Sequence, residues 1–113
     1  HRHLSGTTLT SAKDGFQLHV DNADFLQRTI HITGTWDEDV ASAIRTRLNS
    51  NSVFLDVGAN IGFFSLLAAN RGAKVIAIEP NPRCQEALKA NFARNRLEVE
   101  LHGVAAGAAD GTA

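Results

Sequence analysis

Methionine is absent from this 113-residue chain, at position 1 and everywhere else. The chain is therefore expected to be a processed product or a fragment. Cysteine occurs once, as Cys84, so no disulfide can form within the chain. A reducing compartment fits that usage, and the cytoplasm is the default expectation. No apolar run approaches the roughly 18 residues of a membrane span, and no signal peptide is visible at the start. Neither sign of charge dominates. At a net charge of −1 no bulk field draws the chain to nucleic acid or to a membrane, so neither is expected as a partner. Metal ligands are not clustered: His1 and His3 flank Arg2 with no third ligand nearby, and read as a chain end rather than a metal site. There is no internal repeat.

What is present is ordinary for a soluble globular domain: 43% hydrophobic and 20% charged residues. The most informative stretch runs from Val53 to Phe64. Val53 to Val57 is apolar except for Asp56, as in a parallel strand buried on both faces. Gly58 and Gly62 bracket a turn in which glycine permits positive φ and close backbone approach. A helix dense in Phe, Leu and Ala follows, from about Ile61 to Asn70. Lys74 to Ile78 is a second apolar strand, ending in Glu79. Glu79 lies seventeen residues after Gly62. That is close to the roughly 20-residue offset at which an acidic residue meets a ribose in nucleotide-binding βαβ units.

The loop does not fit the dinucleotide fingerprint G-x-G-x-x-G. It reads Gly58-Ala59-Asn60-Ile61-Gly62, with Asn60 where the second glycine should let the backbone touch a pyrophosphate. Asp56, just before the loop, would also repel a diphosphate. It suits a ligand with a cationic amine and no phosphate. S-adenosylmethionine (SAM) has an adenosine ribose, an ammonium, a sulfonium and no phosphate, so SAM is the expected cofactor. The bland alternative is an α/β domain whose glycine turn merely tightens a βα corner.

Asp56-Val57-Gly58-Ala59-Asn60-Ile61-Gly62-Phe63-Phe64-Ser65, then Ala77-Ile78-Glu79-Pro80-Asn81-Pro82, then Asn91 and Asn95, resemble the FkbM family of SAM-dependent methyltransferases. The resemblance reaches back to Gly34-Thr35-Trp36-Asp37-Glu38 and covers the chain from about Asp14 to its end. It implies O-methylation of a hydroxyl on a sugar, glycolipid or polyketide-type acceptor. It implies that Asp56, Gly58, Ala59, Asn60 and Gly62 line the methionine end of SAM. It implies that Glu79, with Pro80 beside it, holds the ribose, and that Val104 and Ala105 border the adenine. No residue offers itself as a catalytic base. An NAD-linked oxidoreductase and a non-catalytic, truncated nucleoside-binding module are the competing readings.

The remaining elements frame this unit. His1 to Lys13 reads as an irregular lead-in. Phe16 to Val20 alternates like a half-buried strand, which would turn His19 outward. Phe25 to Thr33 fits a strand or a helix. Thr35-Trp36-Asp37-Glu38 reads as a capping box opening a helix with Val40, Ile44 and Leu48 as its stripe. Glu38 also carries a weaker reading as a ligand contact. Asn81 and Pro82 suit the N-cap and first residue of a second helix, ending near Asn95. Leu97 to Val104 alternates as a third strand.

The expected architecture is α/β: a partial Rossmann-like, class I SAM-dependent methyltransferase fold. Its three parallel strands lie in the order 3-2-1 with flanking helices, after a small N-terminal strand and helix extension. Residues 1–50 would form the lead-in and capping helix. Residues 51–113 would form the N-terminal half of the SAM-binding domain. Strand Val53 to Val57 would lie at a sheet edge, a position that complete domains avoid for so apolar a strand, which favours a fragment or self-association through that edge.

Overall fold

The computed structural model describes residues 6–104, so His1, His3 and Ala105 lie outside the described residues. The chain opens with an antiparallel hairpin of β1 (Thr8–Ser11) and β2 (Gln17–Val20), in which Leu9 lies opposite His19. The expected lead-in is thus partly strand. Thr8–Ser11 has one apolar residue, and pairing rather than its own pattern holds it extended. His19 does not turn outward. It is 3% exposed. Both α1 (Phe25–Thr33) and α4 (Pro82–Arg94) pack on β2, so Leu18, His19 and Val20 are all buried.

Phe25 to Thr33 resolves as a helix because both ends are capped. Asp24 accepts a hydrogen bond from Gln27 N at 3.0 Å, and Gly34 closes the helix at φ 78°. With Gly34 used there, too little chain remains for the expected capping box. Helix α2 (Glu38–Arg47) starts from Asp37 instead, at φ 45°. Glu38 pairs with Arg45 and Lys13, and Arg45 also grips Asp14 through two 2.8 Å bonds. This cluster ties α2 to the hairpin turn. The buried stripe of α2 is Ala41 and Ile44, with Leu48 partly covered. Val40 lies outside it.

The second half follows the sequence closely. Strand β3 (Val53–Val57) leads to α3 (Phe63–Asn70), β4 (Lys74–Ile78), α4 and β5 (Glu100–His102). The three strands are parallel in the order β3-β4-β5, with Val57 opposite Ile78 and Ile78 opposite His102. Asn81 caps α4 by accepting from Arg83 N at 2.9 Å and from Cys84 N at 3.3 Å. The core joins Leu66 and Leu67 of α3, Val75 and Ala77 of β4, and Leu88 and Phe92 of α4.

One expectation fails here. Strand β3 is not buried on both faces. Val53, Leu55 and Val57 are 63%, 58% and 58% exposed, while Asp56 between them is buried. Among the described residues the helices cover only the sheet face that carries Asp56, Val75 and Ala77. No helix among the described residues is long and apolar enough to cross a membrane, and they hold no cluster of metal-ligating side chains.

Candidate cofactor-binding site

Parallel sheets bind ligands at the carboxyl ends of their strands. Three segments meet there: the loop 58–62 after β3, residues 79–81 after β4, and Gly103-Val104 after β5. The loop is stitched to β4. Gly58 N and Ala59 N both donate to Ile78 O, at 2.8 and 3.1 Å. Gly62 N donates to Ala59 O at 2.9 Å. Asn60, at φ 55°, folds its side chain back so that Oδ1 accepts from Ile61 N at 2.8 Å. Its own N–H donates to Glu79 Oε1 at 2.7 Å. Every backbone N–H from Gly58 to Gly62 is thus engaged within the protein. A phosphate-binding loop works by presenting such donors to the ligand.

Glu79 sits between the first two segments and is 7% exposed. Its second oxygen, Oε2, accepts from Asn81 N at 2.9 Å. An ionised carboxylate has about four lone-pair sites, so two backbone bonds leave capacity for two hydroxyls. Pro80 beside it is exposed.

Asp56 is 8% exposed and directed at the first turn of α3. Oδ2 accepts from the Ser65 hydroxyl at 2.6 Å, and the Ser65 N–H reaches the same carboxylate. A negative group at a helix N-terminus is favourable. Burial nevertheless pushes the carboxyl above its ordinary range; the Ser65 bonds oppose this and the Glu79 charge adds to it. A cation arriving nearby would relieve that cost.

The two glycines differ. Gly58, at φ 73°, faces open space, with nothing within 4 Å of where a Cβ would stand. Gly62, at φ 94°, packs on α4, and a Cβ there would meet Leu88 Cγ at 3.0 Å. Ala59 is buried and Val104 is 39% exposed at the end of β5. The structure therefore brings Asp56, Gly58, Ala59, Asn60, Gly62, Glu79 and Pro80 to one end of the sheet.

Sequence reasoning gave no site role to three side chains, although Asn91 is among those that carry the family resemblance. Gln85 Nε2 donates to Glu79 O at 2.8 Å and to Gly103 O at 3.3 Å, tying the ends of β4 and β5 together. Cys84 directs its thiol at Asn60 Oδ1, 3.7 Å away, and burial raises its pKa, which keeps it a donor. Asn91 reaches the loop from within the core. The available signal was its place between Leu88 and Phe92 on the apolar face of α4. A cleft of about 550 Å3 lies beside the loop, lined in part by Asp24, Ile61, Asn81 and Cys84. Larger clefts run along the outer side of α4 and at the amino ends of the strands, away from the end where such sheets bind ligands.

No protein-family model matches the chain. Among curated proteins it is 35% identical over 89 residues to the AMB antimetabolite synthetase AmbE of Pseudomonas aeruginosa, covering 77% of this chain and 4% of that protein. It is 46% identical over 50 residues to the methyltransferase sdnD of Sordaria araneosa, covering 42% of this chain and 19% of that one. Among solved structures, the Methanocaldococcus jannaschii tRNA m1G37 methyltransferase aligns with a TM-score of 0.66 and 26% identity, over 94% of this chain and 32% of its own. The chain thus spans less than a fifth of the curated relatives' length and about a third of that structure's. The fold is the Rossmann-like fold of SAM-dependent methyltransferases, in part. The expectation that excluded nucleic acid as a partner does not stand. A neighbour of this fold is named for methylating tRNA, and a small net charge averaged over the chain says nothing about the acceptor of such a fold.

Proposed function

We propose that this chain is the cofactor-binding half of a SAM-dependent methyltransferase. The observation that carries the reading is the loop after β3: all five of its N–H groups are engaged internally, while carboxylates stand on either side of it. That combination suits a cationic nucleoside and does not suit a dinucleotide. Glu79 would take the ribose hydroxyls while its backbone bonds to Asn60 and Asn81 fix its position. Asp56 would lower the energy of a nearby ammonium across the first turn of α3. Gly58 would admit the ligand, because its open side carries no Cβ.

When bound, SAM supplies a methyl group on sulfur that an acceptor displaces in line. The chain's own contribution is then to hold the donor in one orientation and to exclude water from its ribose end. No described residue is assigned as a base that would take a proton from an alcohol acceptor.

The finer reading is an FkbM-type enzyme acting on a hydroxyl of a sugar, glycolipid or polyketide-type molecule in the cytoplasm. The run Asp56 to Ser65, with Glu79 to Pro82, supports it. A second reading, an RNA acceptor, is favoured by the tRNA methyltransferase neighbour. Transfer of labelled methyl from SAM by the full-length parent separates them. Label in small alcohol-bearing metabolites supports the first, and label in RNA supports the second. No transfer to either would overturn both.

A further inference from the structure

Asn91 is the one asparagine whose side chain is wholly buried, among the described residues. It sits in the middle of α4, where asparagine is a poor helix former, on a face otherwise occupied by Leu88 and Phe92. Burying an amide costs stability unless its donors and acceptor are met. Here they are met by two parts of the chain that are far apart in sequence. Nδ2 donates to Ile61 O at 3.0 Å, inside the glycine loop. Oδ1 accepts from His19 N at 2.6 Å, on β2 of the N-terminal hairpin.

One turn later Asn95 repeats half of this pattern. Its Oδ1 accepts from Gln17 N at 2.8 Å, and its Nδ2 donates to Gln17 O. The two asparagines thus close the open edge of β2, which would otherwise present unpaired main-chain groups. Asn95 serves only the hairpin and its own helix. Asn91 serves the hairpin and the loop together.

We propose that Asn91 is the positioning residue of the loop 58–62, and that it couples the geometry of that loop to the docking of the N-terminal hairpin. The loop's other polar anchors come from β4, Glu79, the loop itself and the Cys84 thiol in the first turn of α4. Asn91 supplies its hold from α4, at the residue before Gly62, where α3 begins. With the Ile61 carbonyl held, the Asn60 side chain stays folded onto Ile61 N, and Asn60 N stays on Glu79. Loss of the Asn91 donor would free the Ile61–Gly62 peptide to turn, loosening the Gly62 N bond to Ala59 O directly and, through Ile61, the two bonds at Asn60. The proposal rests on the cofactor reading only for its effect on ligand affinity; the loop geometry can be tested without ligand.

The test compares Asn91→Asp with Asn95→Asp at pH 8. Both replacements keep an oxygen to accept from the β2 backbone, and both lose an amide donor. In ligand-free protein, Asn91→Asp should shift the amide resonances of Asn60, Ile61 and Gly62, whereas Asn95→Asp should leave them in place. S-adenosylhomocysteine affinity should fall about tenfold or more in the first and stay near wild type in the second. Equal loop shifts in both variants, or none in Asn91→Asp, would overturn the proposal. Predicted loop shifts with no ligand binding by the wild type would leave it standing and sink the cofactor reading instead. Should Asn91→Asp fail to fold, hydrogen exchange on the wild type decides. The Asn91 side-chain amide should open together with the Gly62 amide, and independent opening would contradict the proposal.

Discussion

Two buried carboxylates, Glu79 and Asp56, flank the glycine loop, and they act differently. Glu79 fixes two backbone segments and retains lone pairs for a ligand. Glu79→Ala should therefore weaken S-adenosylhomocysteine binding by about 1.5–3 kcal/mol, roughly 10- to 150-fold, as read by calorimetry. Wild-type affinity in that variant would remove Glu79 from the site. Asp56 is the strained partner. Its folded pKa lies above the ordinary 3.8 because burial disfavours the charge. The native state therefore holds the proton more tightly than the unfolded chain. That contribution to stability is full below pH 3.8 and is lost as pH rises through the raised folded value. Asn at this position can still accept from Ser65 and cannot ionise. Urea midpoints should show Asp56→Asn gaining on the wild type as pH rises across that window. A constant difference at all pH values would contradict the burial argument. On the proposed reading the same substitution should also weaken S-adenosylhomocysteine binding, since it removes a negative charge near the position proposed for the ligand's ammonium.

At the scale of elements, the glycine loop separates folding from binding. Gly62→Ala places a Cβ at φ 94° against Leu88, and should cost about 1–3 kcal/mol in urea unfolding. Gly58→Ala meets open space and bears only the backbone cost, about 1–2 kcal/mol, yet it should abolish S-adenosylhomocysteine binding by filling the side open to ligand. If Gly58→Ala binds normally, the ligand does not approach this loop. The βαβ elements were legible because their cues are local. The apolar run Val53 to Val57, the bracketing glycines and the Asn81-Pro82 cap each act within a few residues. The hairpin was only half legible. Thr8–Ser11 becomes a strand through β2, and His19 is buried by helices that lie more than four residues away on one side and more than sixty on the other. The capping box failed for a reason that needed the preceding helix to be known: Gly34 closes α1, and α2 starts from Asp37 rather than Thr35. Within the candidate site, Glu79 was marked by its offset from Gly62, Asp56 by its charge before the loop and Asn60 by the family resemblance. The roles of Gln85 and Asn91 could not be read, because a side chain that bonds to distant backbone leaves no local pattern of its own, even where, as for Asn91, the residue belongs to the family resemblance.

At the scale of the whole molecule, one face of the three-stranded sheet is exposed among the described residues. Val53, Leu55 and Val57 line it, and changes there should be tolerated. Leu55→Lys should alter stability by no more than about 0.5 kcal/mol, whereas Leu66→Ala in the covered core should cost about 2–5 kcal/mol. A large loss from Leu55→Lys would mean that this face is covered in solution.

Whether the glycine loop binds the methyl donor is decided by a titration of the chain with S-adenosylhomocysteine and, separately, with NAD, followed through backbone amide resonances. A SAM-binding loop should show shifts at Gly58, Asn60, Gly62 and Glu79 with S-adenosylhomocysteine and none with NAD. Shifts at those residues with NAD alone would contradict it.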